Sequence, residues 1–251
     1  MIRLDDNIIF GRNPVIELIN AHHSINKILV ADGARDGSIK KITALALDHK
    51  IPVDFVPRSK LDQLADRQNH QGVVALAAPV DYSSLDDILN HAQEINQPPF
   101  IILLDEIQDP HNFGAILRTA DAAGVHGVLI PKHRSVSLSA TVAKTSAGAV
   151  EYVRVAQIGN VAQTIRRLKE LGLTVVGADL DGLSIFDQSA RSDLNVPLVL
   201  IIGNEGKGIR RLTKELCDRL IAIPMVGKIN SLNASSAAAV LIYEVFRQRR
   251  Q

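Results

Sequence analysis

Residues 100–132 read FIILLDEIQDPHNFGAILRTADAAGVHGVLIPK, a stretch in which two apolar runs flank an amphipathic segment. The runs FIILLD and GVLIPK lack polar alternation, which is typical of strands buried on both faces of a sheet. Between them, Phe113, Ile116, Leu117 and Ala120 recur at helical spacing. The stretch therefore predicts a strand, a helix and a second strand parallel to the first.

The same alternation continues toward the C-terminus. Apolar strands are predicted at EYVRVA, LTVVGADL, PLVLIIG and LIAIPM, with helices between them and a last helix over residues 233–249. A shorter alternation occupies residues 10–79, whereas residues 80–99 are polar with a short amphipathic piece and end in a proline pair. We therefore expect an α/β fold in two parts: a small domain at residues 1–79, a linker at residues 80–99, and a parallel-sheet domain at residues 100–251.

The composition limits the class of protein. The chain has 251 residues, 46% hydrophobic and 22% charged, enough for large buried cores. The sequence contains no run of about eighteen apolar residues, and its start, MIRLDDNIIF, lacks the profile of a signal peptide. We expect a cytoplasmic protein with no membrane partner. The single cysteine, Cys217, and the eight histidines show no metal-ligand spacing, so no metal is expected.

The formal net charge of +1 gives no global field for nucleic acid, so RNA contacts would have to use local patches. Candidates are Lys132 and Arg134, which follow the strand GVLIP, and Arg12, beside the first helix. Each phosphate contact would add salt dependence to binding, although a solvated surface explains these residues equally well. With 4% aromatic residues and no Trp, base stacking is not expected to be the main mode.

Ligands of open α/β sheets bind at the carboxyl ends of strands, so the loops after FIILLD, PLVLIIG and LIAIPM are candidate site segments. In the first loop, Asp109 or Asn112 can cap the following helix. Arg118 falls off the buried stripe of that helix, and Gly114, one turn earlier on the same face, is expected to leave open space beside the guanidinium. The alternative is a surface ion pair between Arg118 and Asp121.

The other two loops are also unusual. The second, GNEGKG, does not match the dinucleotide-binding order GxGxxG, and it predicts either a backbone cradle for a ligand or a structural tight turn. In the third, Ser231 or Asn233 can cap the last helix. Capping needs one such residue, and Ser235 and Ser236 add two more, a surplus that favours a binding site over an ordinary cap.

Together, the three loops resemble the three ordered motifs of the SpoU family, RNA ribose 2′-O-methyltransferases of the SPOUT class. The stretches that carry this resemblance are DPHNFGAILRTADAAGVHGVLIP, LVLIIGNEGKGIRRLTKELCDRLIAIPM and INSLNASSAAAVLIYEVFRQR. Near the start, IFGRNPVIELI and HQGVVALAAP are similar to the N-terminal RNA-binding domain of the same family, whose fold is similar to ribosomal protein L30e. The chain is therefore identified as a member of this family.

The resemblance implies a deep trefoil knot in the second domain, S-adenosylmethionine bound on the knotted loops, and a homodimer. It also implies methyl transfer to the ribose 2′-hydroxyl of RNA. The two-domain layout is most similar to members that modify a guanosine in the peptidyl-transferase P loop of 23S rRNA. A tRNA or another rRNA site stays open as the substrate, and a less favoured alternative is an inactive RNA-binding paralogue.

By position in the motifs, the resemblance assigns two groups of residues. Those implied to bind the cofactor are Gly203, Ile223, Pro224 and Leu232. Those implied to surround the reacting ribose are Asn112, Arg118, Glu205, Ser231 and Asn233. Arg118 would either accept the hydroxyl proton or, as a cation, hold the neighbouring phosphate while another group takes the proton. Glu205 would hold the ribose or balance charge near the sulfonium.

Overall fold

The computed structural model describes residues 8–34, 36–187, 194–204, 206–228 and 231–250. The chain forms two compact units. The first comprises residues up to Asp81 together with Ser137–Ala140, and the second comprises Tyr82–Val136 and the residues from Thr141 onward. Within the described ranges, no helix has the length and apolar character needed to cross a membrane.

The first unit is a four-stranded sheet with helices on both faces. Its elements are, in chain order, β1 (Ile8–Phe10), α1 (Arg12–Asn20), β2 (Ile25–Ala31), α2 (Gly37–Asp48), β3 (Val53–Val56), α3 (Arg58–Leu64) and β4 (Val73–Ala77). The strand order is β1-β4-β2-β3, with β4 antiparallel to both neighbours and β3 parallel to β2. Because successive residues of β2 point to opposite faces, Val30 packs with α1 and α2, whereas Leu29 packs with Leu61 of α3.

The second unit contains the predicted parallel sheet. Its elements are, in chain order, α4 (Leu85–Glu94), β5 (Phe100–Asp105), α5 (Pro110–Ala122), β6 (Gly127–Pro131), α6 (Ala140–Thr145), a 3₁₀ turn (Ala149–Glu151), β7 (Val155–Ile158), α7 (Val161–Glu170), β8 (Thr174–Ser184), β9 (Leu198–Gly203), α8 (Arg211–Leu216), β10 (Arg219–Ala222) and α9 (Ala234–Arg249). The strand order is β10-β8-β9-β5-β6-β7, with parallel pairing throughout. The carboxyl ends of the strands therefore lie at one edge.

Within residues 80–99, the predicted linker, the short amphipathic piece forms helix α4. Ser84 and Asp87 cap this helix reciprocally through hydrogen bonds of 3.1 and 2.7 Å between their side chains and backbone N–H groups. Leu85 and Ile88 are buried in the core of the second unit. Ile88 occupies the space that a Cβ at Gly127 would take, so α4 lies directly against the sheet. The polar character of the segment reflects only the exposed side of α4.

Strand β8 extends beyond the predicted strand LTVVGADL and is interrupted where it pairs with β10. Leu220 pairs with Gly177, but the next residue, Ile221, pairs with Leu183, so residues 178–182 project from the ladder. A Cβ at Gly182 would lie 2.5 Å from the backbone nitrogen of Ile221, so only glycine lets the two strands meet again at this point. The projection therefore lies at the carboxyl edge of the sheet.

Helix α9 is anchored near its end by Arg249. The Arg249 guanidinium donates hydrogen bonds to the carbonyl oxygens of Pro98, Pro99 and Val196 at 2.7, 3.0 and 2.5 Å, and it stacks over the ring of Phe100. Burial lowers the pKa of Arg249 to about 10, which leaves the group charged at neutral pH. Arg249 thus ties the last turn of α9 to the segments that precede β5 and β9.

His126 is a buried base directly before β6. Its Nδ1 atom accepts a hydrogen bond from the Phe100 N–H at 2.9 Å, and among the described residues its Nε2 atom has no partner. Burial, reinforced by the positive charge of Arg249, lowers the pKa of His126 from 6.5 to about 4. The folded protein therefore favours the neutral imidazole.

We predict that His126 makes the protein less stable as the pH falls from about 6.5 to about 4. In this window the unfolded chain binds a proton at His126 and the folded protein does not, so the free energy of unfolding decreases with decreasing pH. His126→Asn removes the titrating group while its Oδ1 can accept the same hydrogen bond. Urea unfolding at about pH 7 and about pH 5, followed by circular dichroism, should show a smaller loss in this variant.

His133→Asn is the control, because it removes an exposed histidine of the same unit. It should keep the wild-type pH dependence. An unchanged pH dependence in His126→Asn would contradict the assignment.

Candidate active site

A cavity of about 380 Å³ opens at the carboxyl edge of the second sheet. Its walls are the projection of β8, the end of β9 with the following glycine turn, the end of β10 with the following loop, and the first turns of α9. Backbone groups and apolar side chains make up much of this lining, as expected of a small-molecule site. Two of the three candidate loops, those after β9 and β10, therefore meet at one concave surface.

The shape of the glycine turn follows from a close backbone approach. A Cβ at Gly203 would overlap the carbonyl carbon of Gly208 and the backbone nitrogen of Ile209, so only glycine fits here. Asn204 and Gly208 close the turn with two backbone hydrogen bonds of 2.8 and 3.0 Å, and Gly208 has a φ of +66°. Asn204 and Gly208 thus close a tight turn, and both residues line the cavity.

Polar contacts fix this turn to the loop after β5. Asn204 Nδ2 donates a hydrogen bond of 3.0 Å to the carbonyl oxygen of Glu106. The fully buried carboxylate of Asp105 accepts hydrogen bonds from Arg210 Nε at 2.7 Å and from the Arg210 N–H at 3.1 Å. Because a buried carboxylate without a partner would be strongly destabilising, Arg210 holds the exit of the turn against the end of β5. The sequence motifs do not single out Asp105 or Arg210.

The third stretch is linked to the first by two asparagines. Asn233 caps α9, since its Oδ1 atom accepts hydrogen bonds from the N–H groups of Ser235 and Ser236 at 3.0 and 3.4 Å. Its Nδ2 atom donates a hydrogen bond of 2.9 Å to Oδ1 of Asn112 in α5. Asp109 is the residue that caps α5. The structure therefore brings Asn112 and Asn233 together.

Arg118 is exposed on α5, and its surroundings differ from those expected. Among the described residues, Arg118 has no ion-pair partner, so the alternative pairing with Asp121 is not formed. The prediction of open space at Gly114 is wrong, because a Cβ there would overlap the hydroxyl group of Thr145. Gly114 instead permits close packing of α5 against the end of α6.

The cofactor residues assigned from the motifs fall mainly on the cavity. Gly203, Ile223 and Leu232 line it, as does Ser231. Pro224 is exposed and does not belong to the described lining. Glu205 lies outside the described residues, so its assignment stays a prediction.

The cavity also contains charged residues that the sequence analysis missed. Asp179, in the projection of β8, is almost completely buried, and its Oδ2 atom lies 2.5 Å from Nζ of Lys214 in α8. Asp181 and Lys207 are further charged residues of the lining. Asp179 lies near the carboxyl end of the predicted strand LTVVGADL, so including this strand end among the candidate site segments would have identified the region.

The predicted RNA contacts have different surroundings. Arg12 is engaged within the first unit, where it donates hydrogen bonds to Asp36 at 2.5 Å and to the carbonyl oxygen of Gln71 at 3.1 Å. Lys132 is partly buried and Arg134 is exposed in the second unit. An internal ion pair therefore explains Arg12 without RNA, whereas Arg134 is accessible to a phosphate group.

The fold and the cavity define an α/β protein with a pocket of small-molecule size at the carboxyl edge of a parallel sheet. The family described as SpoU rRNA Methylase matches residues 99–243, and the family described as RNA 2′-O ribose methyltransferase substrate binding matches residues 8–83. The chain belongs to the SpoU methylase family, and the resemblance of its three motifs is confirmed.

Similar proteins agree with this membership. The TrmH family protein YacO of Bacillus subtilis (strain 168), whose name gives tRNA/rRNA methyltransferase, is 48% identical over 96% of this chain and 95% of its own length. A crystal structure of an AdoMet-bound rRNA methyltransferase from Sinorhizobium meliloti is 27% identical, with a TM-score of 0.58, and the match covers 97% of this chain and 87% of that chain. The TrmH/SpoU tRNA modifying enzyme of A. aeolicus is 28% identical, with a TM-score of 0.55, over 65% of this chain and 84% of that chain.

The cofactor of this RNA methyltransferase is S-adenosyl-L-methionine, and the cavity fits such a molecule. The glycine turn gives its backbone close access to a ligand, because a side chain at Gly203 has no room. Ile223, Met225 and Leu232 provide apolar surface for a flat base. Among the described residues, no cluster of side chains could hold a metal ion.

We predict that Gly203→Ala weakens cofactor binding. The added methyl group would force Gly208 and Ile209 away and open the turn, which should raise the Kd for S-adenosylmethionine at least about tenfold. Isothermal titration calorimetry measures the Kd, and circular dichroism reports whether the variant is folded.

Gly159→Ala is the matched control, because a Cβ at this glycine would contact nothing within 4 Å. It should bind the cofactor like the wild type. A wild-type Kd in Gly203→Ala would refute the role of the backbone approach.

Proposed function

We propose that the protein transfers a methyl group from S-adenosylmethionine to the ribose 2′-hydroxyl of a guanosine in the peptidyl-transferase P loop of 23S rRNA. The observation that carries the reaction is the hydrogen bond between Asn112 and Asn233, because it ties α5, which bears Arg118, to the loop that contributes Ser231 and Leu232 to the cavity. Two of the residues assigned to the ribose, Asn112 and Asn233, are therefore linked to the loop that lines the cavity.

The comparisons favour rRNA over tRNA as the substrate. The rRNA methyltransferase of S. meliloti matches nearly the whole chain, whereas the match to the tRNA modifying enzyme covers 65% of it. The name of the B. subtilis relative gives both substrates. A tRNA, or a different rRNA site, is therefore the second candidate. We also propose that the protein works in the cytoplasm, where either RNA would be modified.

The bound cofactor would supply a methyl group activated by the positive sulfonium. The chain must position the hydroxyl and manage its proton, because a ribose hydroxyl is a weak acid. Arg118 is exposed on α5, and a guanidinium group normally stays a cation. We therefore favour its role as the group that holds the phosphate beside the reacting ribose and stabilises developing negative charge.

The neighbouring polar residues would orient the ribose. Asn112 and Asn233 hold each other through one hydrogen bond, which fixes the side-chain direction of both. Ser231 lines the cavity and would position the hydroxyl. Glu205 keeps its proposed role of holding the ribose or balancing charge.

We further propose a homodimer formed by the second unit and a trefoil knot in its C-terminal segment. Support for the dimer comes from Val240 and Tyr243, which remain 36% and 47% exposed on α9 although both are apolar or aromatic. Support for the knot comes from the membership of the second unit in the SpoU methylase family, whose members the sequence resemblance describes as knotted. Light scattering on the purified protein would give the oligomeric state.

We predict that Arg118→Ala lowers kcat by about 100-fold or more while the Kd for S-adenosylmethionine stays unchanged, because Arg118 would act on the RNA and not on the cofactor. Transfer of labelled methyl groups measures kcat. Arg211→Ala is the control, since Arg211 is 92% exposed at the start of α8, and it should retain wild-type activity. Normal turnover in Arg118→Ala would rule out the proposed role.

The substrate is tested by incubating the protein with labelled S-adenosylmethionine and either unmodified 23S rRNA or bulk tRNA. Nuclease digestion and mass spectrometry then locate the methylated nucleoside. We expect one 2′-O-methylguanosine in the peptidyl-transferase loop. Methylation of tRNA alone would overturn the rRNA proposal and leave the reaction type intact.

A further inference from the structure

The first unit contains a groove of about 350 Å³ between β3 and α2. Phe55 of β3 forms one side, while Ile39, Lys40 and Thr43 of α2 form the other. Residues 32–34, directly after β2, complete the lining. The groove lies within the residues that match the substrate-binding family.

The aromatic side chain of Phe55 is only partly covered by the rest of the first unit. It pairs with Val30 of β2, and neighbouring residues of paired strands point to the same face. Val30 is buried with Ile39 and Ile42, so Phe55 faces the side of the sheet that α2 covers. However, β3 is an edge strand, and Phe55 remains 59% exposed. Part of this apolar ring therefore remains exposed to water, although the ring lies on the covered face of the sheet.

The charges around the ring suit a nucleotide. Lys40 is exposed, and among the described residues its ammonium group has no ion-pair partner. Arg12, in contrast, is held by Asp36. Asp32, also in the lining, disfavours a phosphate near the β2 loop but can accept a hydrogen bond from a base N–H. The phosphate therefore belongs on the α2 side, at Lys40.

We propose that this groove binds one unpaired nucleotide of the RNA substrate, with the base stacked on Phe55 and the adjoining phosphate at Lys40. The proposal rests on the proposed function, which makes RNA the substrate. Low aromatic content excludes an extended stacking platform, but one slot needs only one ring. A single splayed base also fits the way proteins read RNA loops.

Because the sequence contains no Trp, the fluorescence of a single introduced Trp reports on its own surroundings. In Phe55→Trp, a single-stranded RNA oligonucleotide of mixed sequence should quench the fluorescence, whereas a blunt RNA duplex should quench it much less. Gln63→Trp is the control, because Gln63 is exposed on α3, on the opposite face of the sheet, and its fluorescence should respond weakly to both RNAs.

Two results would overturn the groove as a nucleotide site. One is fluorescence of Phe55→Trp that single-stranded RNA does not quench, or quenches no more than it does in Gln63→Trp. The other is emission that shifts with protein concentration in the absence of RNA, which would show that a second copy of the chain covers Phe55.

Kinetics provide an independent test. Phe55→Ala should raise KM for the methylated RNA by about tenfold, the scale of one base stacked on one ring, without changing kcat or the Kd for the cofactor. Lys40→Gln should raise the same KM severalfold and reduce the salt dependence of binding by about one phosphate contact. Lys60→Gln, on exposed α3, is the charge control and should change neither.

The groove and the proposed substrate can fail separately. Quenching in Phe55→Trp without methylation of 23S rRNA would reject the substrate and retain the groove. Methylation of 23S rRNA with a wild-type KM in both Phe55→Ala and Lys40→Gln would retain the substrate and reject the groove.

Discussion

The candidate site depends on one steric constraint, the close approach of Gly203 to the backbone of Gly208 and Ile209. There is no room for a side chain at this point, so β9 must end in glycine and the chain must turn back on itself at once. The turn then exposes backbone groups to the cavity at the carboxyl edge of the sheet. A hydrogen bond from Asn204 to the Glu106 carbonyl oxygen fixes it relative to β5.

Two sets of polar contacts hold the rest of the site in place around this turn. The ion pair between the buried Asp105 and the partly exposed Arg210 holds the exit of the turn, and loss of Arg210 would leave the buried carboxylate without a partner. The bond between Asn112 and Asn233 joins the helices on the other face of the sheet. The cavity for the cofactor and the surface that carries Arg118 are therefore held by connected contacts, which suits a reaction that must align two molecules.

The sequence predicted the parallel sheet, because apolar runs such as FIILLD are typical of strands buried on both faces. The cofactor was predicted from the family resemblance. The sequence did not predict features that depend on strand register or on which neighbour a helix face packs against. The projection of β8 arises from a pairing shift that periodicity cannot show, so Asp179 was missed. The amphipathic piece in the predicted linker did not reveal that helix α4 packs against the sheet. Gly114 suggested open space, although a neighbouring hydroxyl group fills it. The roles of the site residues stay predictions.

The most direct test of the account is a crystal structure of the protein with S-adenosylmethionine. Electron density for the cofactor should fill the cavity between the Gly203 turn and Leu232, with the reactive methyl group directed toward the side of the sheet that bears Asn112 and Arg118. Density for the cofactor at any other location, or a methyl group that points away from α5, would contradict the proposed site.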